Sequence, residues 1–364
     1  MNLNTWIHEG SHEVIHSKIE DQQRRILLVG VFVSSSIAVH NVGEALSEKL
    51  SEAGWGVHTT SRHTSRLWRL LDMVTTTWRQ RSHYTVAQVD VFSGLAFGWA
   101  EAVCFLLQRA GKPFVLSLRG GNLPVFSHRW PWRVKRLLQS ATLVTAPSRF
   151  LQEEMRPYRA DILTIPNPIN LNAYAFRQRR LVHPRLVWLR SFHAIYNPSL
   201  APKMLALLVP HVPDIRLIMV GQDKGDGSLQ NAHDVAQKLG VVDRIEWPGG
   251  ISKTEVPNWL NKGDIFLNTT NIDNTPVSVL EAMACGLCIV STNVGGIPYL
   301  LKHEHDALLV PPDDTVAMAH AVRRILEDPG LAERLSRNAR KTASQFDWSN
   351  VFPIWERVLM TAVT

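Results

Sequence analysis

The sequence predicts an α/β chain of two doubly wound halves that face each other across a cleft, with a C-terminal helix returning to the first half. Three observations carry this expectation. The 364 residues suffice for two domains of ordinary size. Short apolar runs that stop at glycine alternate with stretches of helical period, the pattern of βαβ units and a parallel sheet. That pattern breaks once, at Pro166-Asn167-Pro168, and then begins again. The expected domains are 1–168, with a polar lead-in over 1–23, then 169–345, then a returning helix over 346–364.

In the first half, Ile26-Leu27-Leu28-Val29-Gly30 reads as a buried strand ending at a glycine. A serine-rich loop, Ser34-Ser35-Ser36, precedes a helix spaced by Val42, Leu46 and Leu50. Val57–Thr60 and Val89–Phe92 read as strands, Phe97–Ala110 as a helix, and Pro113–Leu118 as a strand that stops at Gly120-Gly121-Asn122. A basic helix over Arg133–Ser140 and a strand over Thr142–Thr145 follow, and Ser148 can cap a helix over Arg149–Met155.

The second half repeats the alternation. Strands are expected at Leu186–Leu189, Ile215–Gly221, Ile245–Trp247, Ile265–Asn268, Cys288–Ser291 and Ala307–Val310. Helices are expected at Pro202–Leu208, Asn231–Leu239, Val256–Asn261, Val277–Ala284 and Thr315–Leu326. Near the end, Trp348, Phe352, Trp355 and Val358 fall three or four apart and line one helical face. Open parallel sheets bind ligands beyond the carboxyl ends of their strands, so the cleft is where the site is sought.

Composition narrows the class. With 45% hydrophobic and 20% charged residues the chain is globular, without the signature of disorder. A net charge of +7 favours a polyanionic partner: nucleic acid, an anionic membrane or a phosphorylated ligand. Three cysteines, Cys104, Cys285 and Cys288, argue against a disulfide framework and for a reducing compartment. Cys285 and Cys288 have redox spacing, but they end a helix and enter a strand, whereas a redox pair opens a helix. The histidines show no metal-ligand spacing. The longest apolar run, Gly94–Leu107, contains Glu101 and falls short of the roughly 20 residues that span a bilayer. The chain is therefore expected in the cytoplasm, with any contact at the inner face of the cell membrane peripheral.

The stretch from Asp273 to Gly286, Asp-Asn-Thr-Pro-Val-Ser-Val-Leu-Glu-Ala-Met-Ala-Cys-Gly, is the most informative. It follows a strand and opens a helix, whose unpaired N–H groups and positive dipole end suit a phosphate. Asp273 precedes that helix and Glu281 lies about two turns into it. An acid, seven residues, a glutamate and then Ala-Met-Ala-x-Gly resembles the signature of family 4 of the retaining GT-B glycosyltransferases. Ser291–Pro298, Leu189-Arg190, the strand ending at Gly221 and the pair Gly120-Gly121 are similar to the same family and fall in its order. The resemblance covers about residues 24 to 360.

The resemblance implies two Rossmann-like domains, the second holding a nucleotide-activated sugar and the first an acceptor. It implies that Asp273 contacts the donor sugar, that Glu281 grips the ribose, and that amides around Asn274, Thr275, Pro276 and Val277 hold the diphosphate. Arg190 then neutralises the leaving phosphate, a role suited to a guanidinium that stays charged and binds phosphate bidentately. Gly30, Gly120, Gly121 and Asn122 supply loops toward phosphate or acceptor, and Gly221 ends a donor-side strand. No metal and no other cofactor is expected.

Three positions depart from the family. Asp273 replaces the usual glutamate. The lysine that follows the arginine is missing, since Arg190 precedes Ser191-Phe192-His193, and Lys203 or Lys224 are candidate substitutes. Arg119 stands where many relatives carry histidine. It is read either as a cation of the site or as a domain-interface ion pair, and its pKa bars it from acting as a base near neutral pH.

The expected reaction is transfer of a hexose-type sugar to an acceptor hydroxyl of a glycan, a lipid-linked compound or a small molecule, with the anomeric configuration retained. A UDP-sugar 2-epimerase of the same fold and a nucleotide-sugar binder without turnover remain alternatives. An NAD-dependent oxidoreductase lacks support, because no Gly-x-Gly-x-x-Gly follows the first strand. No DNA or RNA module appears. Basic and aromatic residues mix over Arg62–Arg81 and His128–Arg136. They form either a surface for an anionic bilayer or solvated helix faces with their tryptophans in the core.

Overall fold

The computed structural model describes residues 24–32, 42–61, 63 and 65–363. The expected lead-in 1–23, the loop at Ser34-Ser35-Ser36, and Arg62 lie outside the described residues. In the first half, β1 (Arg25–Val29), β2 (Gly56–Thr60), β3 (Val86–Val91), β4 (Phe114–Leu118), β5 (Leu143–Ala146) and β6 (Leu163–Thr164) form one sheet in the order β2-β1-β3-β4-β5-β6. In the second half, β7 (Arg185–Leu189), β8 (Arg216–Val220), β9 (Ile245–Gly249), β10 (Ile265–Asn268), β11 (Cys288–Thr292) and β12 (Ala307–Val310) form another, ordered β12-β11-β10-β7-β8-β9. Every neighbouring pair is parallel. This is the α/β architecture of two doubly wound domains that the alternation of runs predicts.

Parallel strands need crossovers, and here helices cover both faces of each sheet. That is why β4, β10 and β11 are buried along their whole length and read as continuous apolar runs. The strand order reverses at β1/β3 in the first sheet and at β7/β10 in the second. At such a point the loops leave in opposite directions and open a crevice at the carboxyl ends of the strands.

The chain passes between the halves twice, side by side. Outward bound, the Ile169 N–H donates to Phe346 O at 2.8 Å, and inward bound, the Trp348 N–H donates to Ile169 O at 3.1 Å. Asp347 accepts from the Leu171 N–H at 2.9 Å and ties the two passages together. The helix Trp348–Val363 then lies on the first sheet, where Val351, Trp355, Val358, Leu359 and Ala362 share a buried cluster with Ile26, Leu28, Leu46 and Val115. Trp348 and Phe352 flank that cluster, partly buried.

Two long helices escape the periodicity reading. Arg66–Arg79 buries only Met73 and Thr77, while Leu67, Trp68, Leu71 and Trp78 are exposed. Leu67, Leu71 and Trp78 stand at helical spacing, yet that stripe faces solvent rather than the core. Pro329–Ser344 packs on the helix Val277–Cys285, with Ala339 and Ala343 in the buried cluster of that helix. Small residues make a close contact but a faint hydrophobic signal.

Candidate active site

The reversal at β7/β10 brings together two residues that lie far apart in sequence. Arg190 leaves the end of β7, and Asp273 sits in the loop that follows β10. Their side chains form a salt bridge, 14% and 12% exposed. The Asn274 N–H donates to the second Asp273 carboxylate oxygen at 2.8 Å. The Arg190 guanidinium lies 4.0 Å from the centroid of the Tyr196 ring, and its buried Nε makes no hydrogen bond. Both glycine-rich elements around the pair are there for close backbone approach. A Cβ on Gly221 would overlap the Arg190 carbonyl, and Cβ atoms on Gly295 and Gly296 would overlap the carbonyls of Asp273 and Asn274. The Gly296 N–H instead donates to Asp273 O at 2.9 Å.

The helix Val277–Cys285 begins directly behind this pair, with Pro276 at its cap and no side-chain capping bond. Ser278 Oγ, in its first turn, is buried without a partner. A helix start of this kind concentrates donors and a positive dipole end. Glu281 lies on the same helix, 3% exposed, accepting from the Tyr174 hydroxyl at 2.7 Å and paired with Lys253.

The first half closes over the helix start. Asn274 is hydrogen-bonded to Ser148, and Thr275 Oγ1 donates to Pro147 O at 3.3 Å. Asn167 Nδ2, from the linker, donates to Thr275 O at 3.3 Å. A Cβ on Gly121 would stand 3.5 Å from the Asp273 carbonyl carbon and 3.6 Å from Asn274 N. The diphosphate-binding candidates and the glycine loop after β4 therefore belong to one interdomain site.

The sequence and its two-sheet frame are matched by known proteins. The model of the family "Glycosyl transferases group 1" matches residues 185–342, and that of "Glycosyltransferase Family 4" matches residues 31–173. The chain belongs to the family-4 glycosyltransferases of the GT-B fold. It is similar to a D-inositol 3-phosphate glycosyltransferase of Streptomyces bingchenggensis, 26% identical over 244 residues, 60% of this chain and 54% of that protein. The enzyme of the same name from Saccharomonospora viridis is 30% identical over 168 residues, 43% of this chain and 39% of that one. The matched stretches thus span about half the length of these curated relatives. A sucrose-phosphate synthase from Thermosynechococcus elongatus superposes with a TM-score of 0.77 at 19% identity, covering 92% of this chain and 98% of that one. Anabaena Alr3699/HepE in complex with UDP and glucose superposes at 0.72 and 17% identity, covering 92% and 99%. At such identities the superpositions speak for the fold.

In this family-4 chain the remaining candidates gather elsewhere. Arg119 donates from Nε to Asp90 at 3.0 Å and from another nitrogen to Asn167 at 3.1 Å, so it braces the first sheet against the linker. Asp90 also accepts from Gln88 at 2.9 Å. A Cβ on Gly30 would stand 2.9 Å from the other Asp90 oxygen, so Gly30 belongs to the Asp90 cluster. Gly120 takes a left-handed φ of 82°, which turns the chain after β4. Asn122 is exposed and only begins the short helix Leu123–Arg129.

Neither proposed substitute for the missing lysine joins Asp273. Lys203 is exposed on the helix Leu200–Leu208, and Lys224 donates to Gln222 at 3.3 Å. The lysine that meets an acid of the site is Lys253, paired with Glu281 and pushed down to about 8 by burial. Its partnership with Glu281, like the Tyr196 and Tyr174 contacts, depends on loops from different strands, and no local spacing announces it. The Cys285 thiol is pushed up to about 11 and the Cys288 thiol to about 12 by burial, which leaves both unreactive. His128 Nδ1 bonds to Pro124 O at 2.8 Å within its own helix. The tryptophans of the two basic segments are on the surface rather than in the core: Trp68 is 63% exposed and Trp132 77%.

Proposed function

We propose that the chain is a retaining glycosyltransferase that moves a hexose-type sugar from a nucleoside diphosphate sugar to an acceptor hydroxyl without a metal ion. One observation carries the reading: the Arg190–Asp273 pair abuts the uncapped start of the helix that bears Glu281, inside the interdomain site. The diphosphate lies against the amides from Thr275 to Ser278, as helix starts bind anions. Arg190 neutralises the phosphate that departs, and Asp273 faces the sugar. Glu281 accepts from the ribose hydroxyls, which requires Lys253 to share or yield it.

The chemistry follows from that placement. The bond from the anomeric carbon to the phosphate oxygen breaks, and the acceptor oxygen bonds to the same face of that carbon. The acceptor proton passes to the departing phosphate oxygen, so no protein base is required. A fixed guanidinium with preorganised amides contributes several kcal/mol to the developing phosphate charge, roughly the weight of other oxyanion sites. The UDP and glucose held by Anabaena HepE on this fold support a uridine diphosphate donor. We place the reaction on the cytoplasmic side of a membrane, where the exposed Trp68, Trp78 and Trp132 with neighbouring arginines rest on anionic lipid. No helix among the described residues is long and apolar enough to cross a membrane, and the contact we propose is a peripheral one.

The test is a melting-temperature screen with UDP, GDP and ADP and their sugars, followed by turnover of the donor that binds. A ligand bound only by the folded state raises the melting temperature. Asp273→Ala serves as the control. No shift with any nucleotide, or turnover that survives Asp273→Ala, sinks the proposal.

A further inference from the structure

The loop that leaves β7 carries an aromatic ring as well as a cation. After Arg190 the chain makes one short 3-10 turn, Ala194–Tyr196, which sets the Tyr196 ring centroid 4.0 Å from the central carbon of the Arg190 guanidinium. An approach in the plane of the ring would be stopped farther out by the ring's own edge, so at this distance the cation lies over the face. The turn is pinned from several sides. The His193 ring accepts from the Ile195 N–H at 3.2 Å, Ile195 O accepts from the Asn271 N–H at 2.8 Å, and Tyr196 O accepts from Thr269 Oγ1 at 2.7 Å. Thr269 accepts in its turn from the Trp188 indole at 2.9 Å, and both of these residues are fully buried. Trp188 stands on β7, which leads to Arg190, while Thr269 and Asn271 follow β10, which leads to Asp273. Ring, cation and acid are thus built on one frame.

We propose that Tyr196 is a positioning residue for the departing phosphate: its ring holds the Arg190 guanidinium in place and leaves the charge free to meet the diphosphate. The inference rests on the donor reading above. Among the described residues the guanidinium makes one hydrogen bond, to Asp273, and Arg190 is the only cation paired with that acid. The aim of this one guanidinium therefore matters. A second carboxylate could also fix it, but would cancel the charge and take up its N–H donors. A ring attracts the cation through its quadrupole and brings no net charge of its own. The attraction grows as water is removed, and the Arg190 side chain is only 14% exposed.

Calorimetry on the full chain tests this with UDP against UMP, GDP against GMP and ADP against AMP. The advantage in affinity of a diphosphate over the monophosphate of the same base reports the outer phosphate, where Arg190 acts. Tyr196→Leu should cut that advantage about fivefold to tenfold, and Tyr196→Phe, which keeps the ring, should leave it within about twofold. In an Arg190→Met background Tyr196→Leu should cut nothing further, because the ring acts through the guanidinium. A ring that only packs would weaken monophosphate and diphosphate alike, in both backgrounds, and that result overturns the inference. So does an equal loss in Tyr196→Phe and Tyr196→Leu, which would give the role to the hydroxyl. Should Tyr196→Leu fail to fold, pentafluorophenylalanine at position 196 keeps the size of the ring and removes its negative face. It should give the same loss, and an advantage retained with it overturns the inference equally. A native chain that binds none of the three diphosphates strikes the donor reading, and this inference with it. A native chain that prefers a diphosphate, with the preference intact in Tyr196→Leu, strikes this inference alone.

Discussion

Lys253, from the loop after β9, places its ammonium on the Glu281 carboxylate, with the Tyr174 hydroxyl on the same oxygen. A carboxylate this deeply buried needs such partners, because leaving it charged and alone costs several kcal/mol. The pair therefore both stabilises the second half and guards the group assigned to the ribose.

Replacing Glu281 with Gln keeps the shape and removes the charge that strengthens hydrogen bonds from ribose hydroxyls. UDP affinity should fall about tenfold to a hundredfold. In the native chain 3′-deoxy-UDP should bind about as weakly as UDP binds E281Q. Calorimetry with both ligands on both proteins checks this, and unchanged UDP affinity in E281Q removes Glu281 from the ribose.

Lys253 gives a pH signature. Burial lowers its folded value to about 8 from 10.5. Between those values the unfolded chain binds the extra proton, so this group makes stability rise as pH increases through that window. Lys253→Met lacks the term. The native chain should therefore gain stability relative to K253M from pH 8 to 10.5, by less than the full shift implies because the side chain is 35% exposed. Urea melts of both proteins across that range measure it, and parallel curves would refute it.

Glycines at the site and away from it should respond in opposite directions. A Cβ at Gly296 would overlap the Asn274 carbonyl, so Gly296→Ala has to displace the helix start. It should cost about 1–3 kcal/mol and reduce turnover at least about tenfold. Gly98, inside the helix Leu95–Arg109, has nothing within 4 Å of its Cβ position. Gly98→Ala should stabilise by about 0.4–1 kcal/mol and leave turnover unchanged. Denaturant titration and initial rates on the pair decide the matter.

The returning helix should be tested through Trp355, which is 2% exposed in the cluster with Ile26 and Val115. Trp355→Ala removes a large buried ring and should cost about 3–5 kcal/mol. The loss should fall on the first half, visible as faster amide exchange in β1 and β4 than in β7 and β10. Uniform exchange in both sheets would show that the helix does not support the first half selectively.

The positions of Arg190, Asp273 and Glu281 were legible because each adjoins a strong local signal: an apolar strand or the start of a buried helix. Arg119 was legible as a cation after β4 but not as a brace. Its partners, Asp90 and Asn167, lie 29 and 48 residues away. The segment Arg66–Arg79 was read only as a mixture of cations and aromatics, although Leu67, Leu71 and Trp78 stand at helical spacing along it. The pairing of Lys253 with Glu281 was hidden, since no spacing rule links residues 28 positions apart.

By itself, the sequence determined the alternation of strands and helices, the two halves, and the helix that begins just after Asp273. These follow from period, glycine and proline, which act on the backbone within a few residues. Tertiary structure decided which charges meet: Arg190 with Asp273, Lys253 with Glu281, and Arg119 with Asp90. Strand order determines which loops share a crevice, and electrostatic partnership depends on distance in space, which the order of residues along a chain does not state.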